Sequence, residues 1–295
     1  VKLLLGTRGS QLARAQSTHV AGALRARGHD VELTFLETRG DRVIDKTIPE
    51  IGGKGLFTAE LEEALRTGRI DLAVHSLKDL PTEDAPGLVV AAVPLREDWH
   101  DALVSKGRKL AELPRGARVG TASLRRKALL MQRRPDLEIV ALRGNVDTRL
   151  KRVKEGAVDA IVLAAAGLRR LGRKDAITEL LDFLPAPAQG ALAIQVRADR
   201  DDILAAAKSL HDELSGRCAH AERELLHLLG GGCSVPVGAL SLPEGHHLKL
   251  RAVVAAPDGS RIVEAEGVGG DPGALGGVVA RSLKEQGAQE ILDAS

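Results

Sequence analysis

Aromatic residues make up 1% of the 295-residue chain, and tyrosine is absent. Proteins that grip single-stranded nucleic acid stack bases on aromatic faces, so no nucleic-acid partner is expected. Cysteine is scarcer still. Cys218 and Cys233 are too few for a disulfide framework, and they lack the C-x-x-C spacing of a zinc or redox site. That usage fits a reducing, cytoplasmic setting. Long apolar runs are missing too. The opening VKLLLGTRGS holds three consecutive leucines before glycine and charge intervene, too short for a signal-peptide core or a membrane span. Neither G-x-x-x-x-G-K-[ST] nor G-x-G-x-x-G occurs, which counts against a nucleotide phosphate as ligand.

What is present is ordinary globular material, 44% hydrophobic and 28% charged, enough for about two domains or three small ones. Apolar runs alternate with amphipathic stretches: LLLG, SQLARAQSTHVAGALRARG, VELTFLETRG, KGLFTAELEEALRTG, IDLAVHS, GLVVAAVP. The scheme repeats through ARVGT, SLRRKALLMQRR, LEIVALRG, NVDTRLKRVKEG and DAIVLAAAGL. Strands alternating with helices in this way predict βαβ units and mostly parallel sheets. After AHAERELLHLLGG the pattern changes to SVPVGALSL, HLKLRAVVAAP and SRIVEAEGV. Those runs predict a three-stranded antiparallel meander with a PDGS turn, closed by one helix around 274–292. The expected division is domain 1 over 1–94 and 189–209, domain 2 over 98–184 and domain 3 over 213–295. The chain crosses back at PAPAQG (185–190), and ALAIQV supplies one more buried strand.

Net charge is only +2, yet Arg115 to Arg152 holds eleven Lys and Arg against three acidic residues, a local excess of +8. Such an excess is a solvated face or a site for anions. Five strand-like runs end in polar clusters: GTRGS (6–10), ETRGD (37–41), VHSLKD (74–79), GTASLRR (120–126) and LRGNVDTR (142–149). Open α/β sheets bind ligands beyond the carboxyl ends of their strands, where helix N-termini favour anions. Ser, Thr and Asn there also serve as plain helix caps. Arginine in four of the five points further, to a ligand with several carboxylates. Asp79 is the acidic member beside Lys78, and it reads either as a surface ion pair or as a charge poised to stabilise a cation. Cys233 sits in GGGCSVPVG, where bare backbone leaves room beside a nucleophilic sulfur. Cys218 has no such setting and is expected to pack in a core.

Taken together, TRGS, TRGD, GGKGLF, HSLKDLP, GTASLRR, RRPDLEI, LRGNVDTRL, DAIVLAAAGLRRLG, PAPAQGALAI, AERELL and GGGCSVPVGA resemble the porphobilinogen deaminase family, also called hydroxymethylbilane synthase. The likeness runs in family order from residue 3 to about residue 290. It implies a cytoplasmic, monomeric transferase of tetrapyrrole (porphyrin and heme) synthesis. Such an enzyme joins four porphobilinogen molecules head to tail, releases four ammonia and yields linear hydroxymethylbilane. The implied cofactor is a dipyrromethane held by thioether at Cys233, with porphobilinogen and pyrrole-chain intermediates as partners and no metal. The implied fold is α/β, with two lobes like type II periplasmic binding proteins and a smaller C-terminal α+β domain.

By the same resemblance Asp79 is the key catalytic residue, with Arg143 and Arg149 also at the catalytic step. Cofactor contacts fall to Ser76, Lys78, Asp79, Thr121, Ser123, Arg125, Arg126, Arg143, Asn145 and Gln189. Substrate contacts fall to Arg8, Ser10, Lys54, Arg143 and Arg149. Arg8, Arg125, Arg126, Arg143 and Arg149 are the expected carboxylate clamps, and GGKG (52–55) is a candidate flap. The chain departs from the family's usual residues at Gln11, Ala122, Ala188 (usually Gly) and Gln195 (usually Glu), none of which is Asp79 or Cys233.

Two other readings suit parts of the pattern. A solute-binding protein of the same bilobal fold would use the arginines without chemistry, but it leaves the third domain and the GGGC loop unexplained. A cysteine hydrolase would need a histidine base, and no histidine lies in a comparably marked loop. His75 is expected as a packed strand residue or a support for the substrate loop. His246 and His247 are expected in a solvated turn, although paired histidines can bind metal.

Overall fold

Strand β1, Lys2–Arg8, opens a computed structural model that describes residues 2–36, 58–231 and 235–294. Lys54, Cys233 and the ETRGD and GGKG segments lie outside the described residues. The chain divides into two compact units, one of residues 1–96 and 191–216, the other of 97–190 and 217–295.

In the first unit β1 is followed by α1 (Gln11–Arg25), β2 (Asp30–Leu36), α2 (Ala59–Arg66), β3 (Leu72–Ser76) and β4 (Leu88–Ala92). The returning chain adds β10 (Leu192–Arg197) and α6 (Asp201–Lys208). The sheet order is β2-β1-β3-β10-β4, with β1 parallel to β2 and β3, and β10 antiparallel to β3 and β4. Leu3, Leu5, Leu72, Val74, Ile194 and Val196 form its core with Val20 and Leu24 of α1. Near-continuous apolar runs such as LLL and LAIQV are what a sheet covered on both faces requires. Leu61 and Leu65 of α2 pack with Ile70 and Ala73 in a separate cluster.

The second unit begins with β5 (Asp101–Ser105), then β6 (Arg118–Gly120), α3 (Leu124–Arg133), β7 (Glu138–Val140) and α4 (Val146–Lys154). β8 (Ala160–Ala164), α5 (Ala165–Arg170) and β9 (Glu179–Leu181) follow. The sheet order is β7-β6-β8-β5-β9, with β5 antiparallel to β8 and β9. Both sheets therefore share one plan. Three parallel strands come first in space, then an antiparallel strand that the chain enters on crossing, then the last strand of the set. This is the pair of α/β lobes expected from the alternating pattern. Strands β5 and β9 were not anticipated from the sequence, because DALVS and ELL are too short to declare a period.

Helix α7 (Glu213–Leu228) leads to the third sheet, an antiparallel meander of β11 (Val237–Glu244), β12 (His247–Ala255) and β13 (Ile262–Gly269). Cys218 is buried in this core with Leu225, Leu250 and Val279, as expected. His246 and His247 are exposed, also as expected. Val253 of β12 joins the core of the second sheet beside Leu103 and Phe183. The single closing helix expected around 274–292 is instead two, α8 (Pro272–Glu285) and α9 (Ala288–Asp293). Gly287 separates them at φ +88°, a left-handed conformation that stops a helix and that glycine adopts without steric cost.

Candidate active site

In the first unit the parallel neighbours β1 and β3 end at one edge of the sheet. Arg8 is the last residue of β1. Ser10 caps α1, its hydroxyl accepting from the Ala13 N–H at 3.3 Å. Ser76 ends β3, and its Oγ accepts from Gln16 Nε2 at 2.8 Å. One 3-10 turn, Leu77–Asp79, follows and leaves Lys78 half-buried and Asp79 exposed. The Leu77 N–H donates to the Ala191 carbonyl at 3.0 Å, which ties the turn to the chain entering β10. His75 is buried, its Nε2 3.1 Å from Gln195 Oε1. Burial drives the His75 pKa down to about 4, the Gln195 hydrogen bond opposing this and the Arg8 charge adding to it. The ring is neutral at physiological pH. Among the two roles weighed for it, packed strand residue describes its position.

In the second unit, Thr121 follows β6 and accepts the Ser123 N–H at 3.2 Å, and Ser123 caps α3. The next two residues, Arg125 and Arg126, are buried against a carboxylate the sequence reading did not single out. Asp101, with no exposed surface, takes Arg125 Nη1 on Oδ2 at 2.6 Å. Its Oδ1 takes Arg126 Nε at 2.9 Å and Nη2 at 2.8 Å. Gln189 is equally buried and donates from Nε2 to the same Oδ1 at 2.9 Å and to the Trp99 carbonyl at 2.8 Å. Burial pushes the Asp101 pKa up, but the two guanidinium charges pull harder and hold it well below the usual carboxylate range. Arg125 also reaches the Leu184 carbonyl at 2.8 Å and Arg126 the Val162 carbonyl at 3.0 Å.

Beyond β7, Asn145 caps α4 by accepting from the Thr148 N–H and hydroxyl, both at 2.8 Å. Arg143 is exposed, and Arg149 is half-buried with its Nε on the Gly144 carbonyl at 2.8 Å. Burial lowers the Arg149 pKa to about 10, with the charges of Arg126 and Arg143 adding to the effect. It stays cationic at neutral pH. No carboxylate among the described residues pairs with the Arg149 guanidinium.

Within each unit the four described clusters, GTRGS, VHSLKD, GTASLRR and LRGNVDTR, lie at the ends of strands. Arg8, Ser10, Ser76, Lys78 and Asp79 share the carboxyl edge of the first sheet. Thr121, Ser123, Arg125, Arg126, Arg143, Asn145, Arg149 and Gln189 surround the corresponding edge of the second. The residues that escaped the sequence reading are Asp101 and Gln16, together with Gln195 as partner of His75. Asp101 carried one available signal, an acid directly before the apolar run ALV. Ala188, where the family usually has glycine, is the one non-glycine with a left-handed φ among the described residues, at +61°. Its N–H donates to the buried Glu222 carboxylate at 2.6 Å, and Glu222 also accepts the Ser241 N–H at 2.7 Å.

An exposed carboxylate on a short turn and a set of guanidiniums around a strand edge can hold a polycarboxylate and steady a cation. Among the described residues no three His, Cys, Asp or Glu are grouped to hold a metal ion. Among the described residues no helix is long and apolar enough to cross a membrane.

Comparison with known proteins shows the family to which the chain is similar. Residues 3–205 match the family model described as porphobilinogen deaminase, dipyromethane cofactor binding domain, and 217–285 match porphobilinogen deaminase, C-terminal domain. The porphobilinogen deaminase of Roseiflexus sp. (strain RS-1) is 48% identical over 297 residues, covering 98% of each chain. That of Pelotomaculum thermopropionicum is 48% identical over 299 residues, covering 99% of this chain and 96% of its own. Among solved structures, a nutrient binding protein from Burkholderia cenocepacia bound to methionine aligns at TM-score 0.43 and 17% identity, over 70% of this chain and 91% of that one. That likeness is too low to carry weight, and the fold rests on the strand orders.

Proposed function

Because the chain belongs to the porphobilinogen deaminase family, we propose that Asp79 is its catalytic carboxylate and that arginines at the two sheet edges bind the carboxylates of the pyrrole chain. The enzyme is a hydroxymethylbilane synthase that uses a dipyrromethane cofactor and porphobilinogen as substrate. The observation that carries the residue assignment is the exposed Asp79, held on a turn pinned to its strand and to Ala191.

The acetate and propionate of each pyrrole suit guanidinium forks. Arg8 and Ser10 in the first unit, with Lys54, are assigned to the incoming substrate, and Arg143 and Arg149 to both substrate and primer. Ser76, Lys78, Thr121, Ser123, Arg125, Arg126, Asn145 and Gln189 are assigned to the primer. The arginines fit it, because Arg149, which no carboxylate among the described residues pairs with, stands beside the charges of Arg126 and Arg143, a place suited to ligand carboxylates. Cys233 is assigned as the anchor, since thiolate sulfur is strongly nucleophilic near neutral pH. When bound, the dipyrromethane supplies the pyrrole carbon that accepts the first substrate unit.

The substrate's aminomethyl group is protonated at neutral pH, like an alkylamine of pKa roughly 10. Its C–N bond breaks, ammonia leaves with the bonding pair, and positive charge spreads into the substrate ring. Asp79 offsets that charge, accepts hydrogen bonds from pyrrole N–H groups, and takes the proton whose loss from the attacking ring carbon, after the new C–C bond has formed, restores that ring's aromaticity. The enzyme is assigned to the cytoplasm as a monomer, and its second unit is subdivided at the segment before α7 into a lobe and a cofactor-cysteine domain.

Asp79→Asn tests this. The variant should keep a mass adduct of two pyrrole units and lose turnover by about a hundredfold or more, the size of effect seen on removing a single electrostatic stabiliser. Near-normal hydroxymethylbilane formation would remove Asp79 from the mechanism.

A further inference from the structure

We propose that Asp101 is a positioning residue for this reaction: its carboxylate fixes Arg125 and Arg126 side by side and so aims Arg126 toward the corner held by Arg143 and Arg149. The inference rests on reading those arginines as carboxylate clamps.

Arg125 and Arg126 are consecutive in the first turn of α3, so their side chains leave the helix about 100° apart, one residue's share of a 3.6-residue turn. Left alone, two adjacent cations would also repel. Asp101 draws them together by giving Oδ2 to Arg125 and Oδ1 to Arg126. It can do so because β5 is antiparallel. Asp101 is the first residue of β5 and pairs with Ala164, the last of β8, which puts it at the carboxyl edge of the parallel strands. Gln189 completes the arrangement, bonding Asp101 through its amide nitrogen and standing 3.4 Å from Arg126 Nη2 through its oxygen.

A purely structural ion pair would need one arginine for one carboxylate. Here Arg125 and Arg126 both face Asp101, and the Arg149 pKa registers the Arg126 charge. Two guanidiniums against one carboxylate leave a net positive charge at this edge, which the carboxylates of an anionic ligand would offset.

The test compares Asp101→Asn, Asp101→Glu and Gln189→Leu with Leu103→Ala, a core substitution on the same strand that lowers thermal stability and serves as the control for it. Steady-state turnover of porphobilinogen is scored per folded molecule. Asp101→Asn should lower kcat/KM at least tenfold, with KM rising more than kcat falls, because a displaced Arg126 disturbs Arg143 and Arg149, which are assigned to substrate as well as primer, and a clamp binds ground state and transition state alike. Asp101→Glu should recover part of that loss, and Gln189→Leu should lie between wild type and Asp101→Asn. Should Asp101→Asn fail to fold, Gln189→Leu carries the test by the same KM criterion. Kinetic constants within twofold of wild type, or a loss no greater than that of Leu103→Ala at equal stability, would overturn the proposal. Wild-type protein that makes no hydroxymethylbilane would sink the underlying reading instead.

Discussion

His75 and Asp101 are both buried and titratable, yet they sit in opposite charge states for one reason. Each takes the form its neighbours allow. Burial, with the Arg8 charge adding to it, outweighs the Gln195 hydrogen bond and keeps His75 neutral. Asp101 has two guanidiniums and stays ionised. Histidine in an unfolded chain titrates near pH 6.5, and His75 in the folded protein near 4. Between those values the unfolded chain binds a proton that the folded one refuses, so stability falls as pH drops through the window. Linkage puts the loss at about 3 kcal/mol. Asp101 adds its own loss only in stronger acid, below the ordinary carboxylate range. Thermal midpoints measured from pH 7 to 4 should therefore fall less steeply in His75→Gln than in wild type. Equal slopes would show that His75 titrates normally in the fold.

Helix starts do double duty here, and the two duties can be separated. Asn145 caps α4 and is also assigned to the primer, whereas Asp271 caps α8 in the third sheet's layer, accepting from the Ala274 N–H at 2.7 Å. Alanine at either cap should cost about 1 kcal/mol of stability. Only Asn145→Ala should also reduce turnover, and equal turnover in the two variants would leave Asn145 with a capping role alone. The same elements show what could be read in advance. A strand running into Ser or Asn and then an amphipathic helix is a local signal, so Ser10, Ser123 and Asn145 were placed correctly from sequence. Asp101 was not, because its significance depends on direction. A residue at the start of a strand lies far from the carboxyl edge in a parallel strand and at that edge in an antiparallel one. Nothing local in DALVS says which way β5 runs. The break at Gly287 was missed for a similar reason, since apolar spacing continues across it and only the φ of one residue divides α8 from α9. The partner of His75 is 120 residues away in sequence, and no short window contains both.

Across the chain, two sheets of equal plan present their carboxyl edges with different chemistry. The first offers Asp79 on a pinned turn and the second a group of arginines organised by one buried acid. Matches to the family run through both units, over 3–205 and 217–285, so the likeness is not confined to a generic bilobal scaffold. A solute-binding protein of this architecture would have use for the arginines but none for a covalent primer. Intact-mass analysis of protein purified from a porphobilinogen-replete host separates the two. The account predicts a mass increase equal to two pyrrole units, absent from Cys233→Ser. Unmodified wild-type protein, or an adduct that survives the Cys233→Ser change, would contradict it.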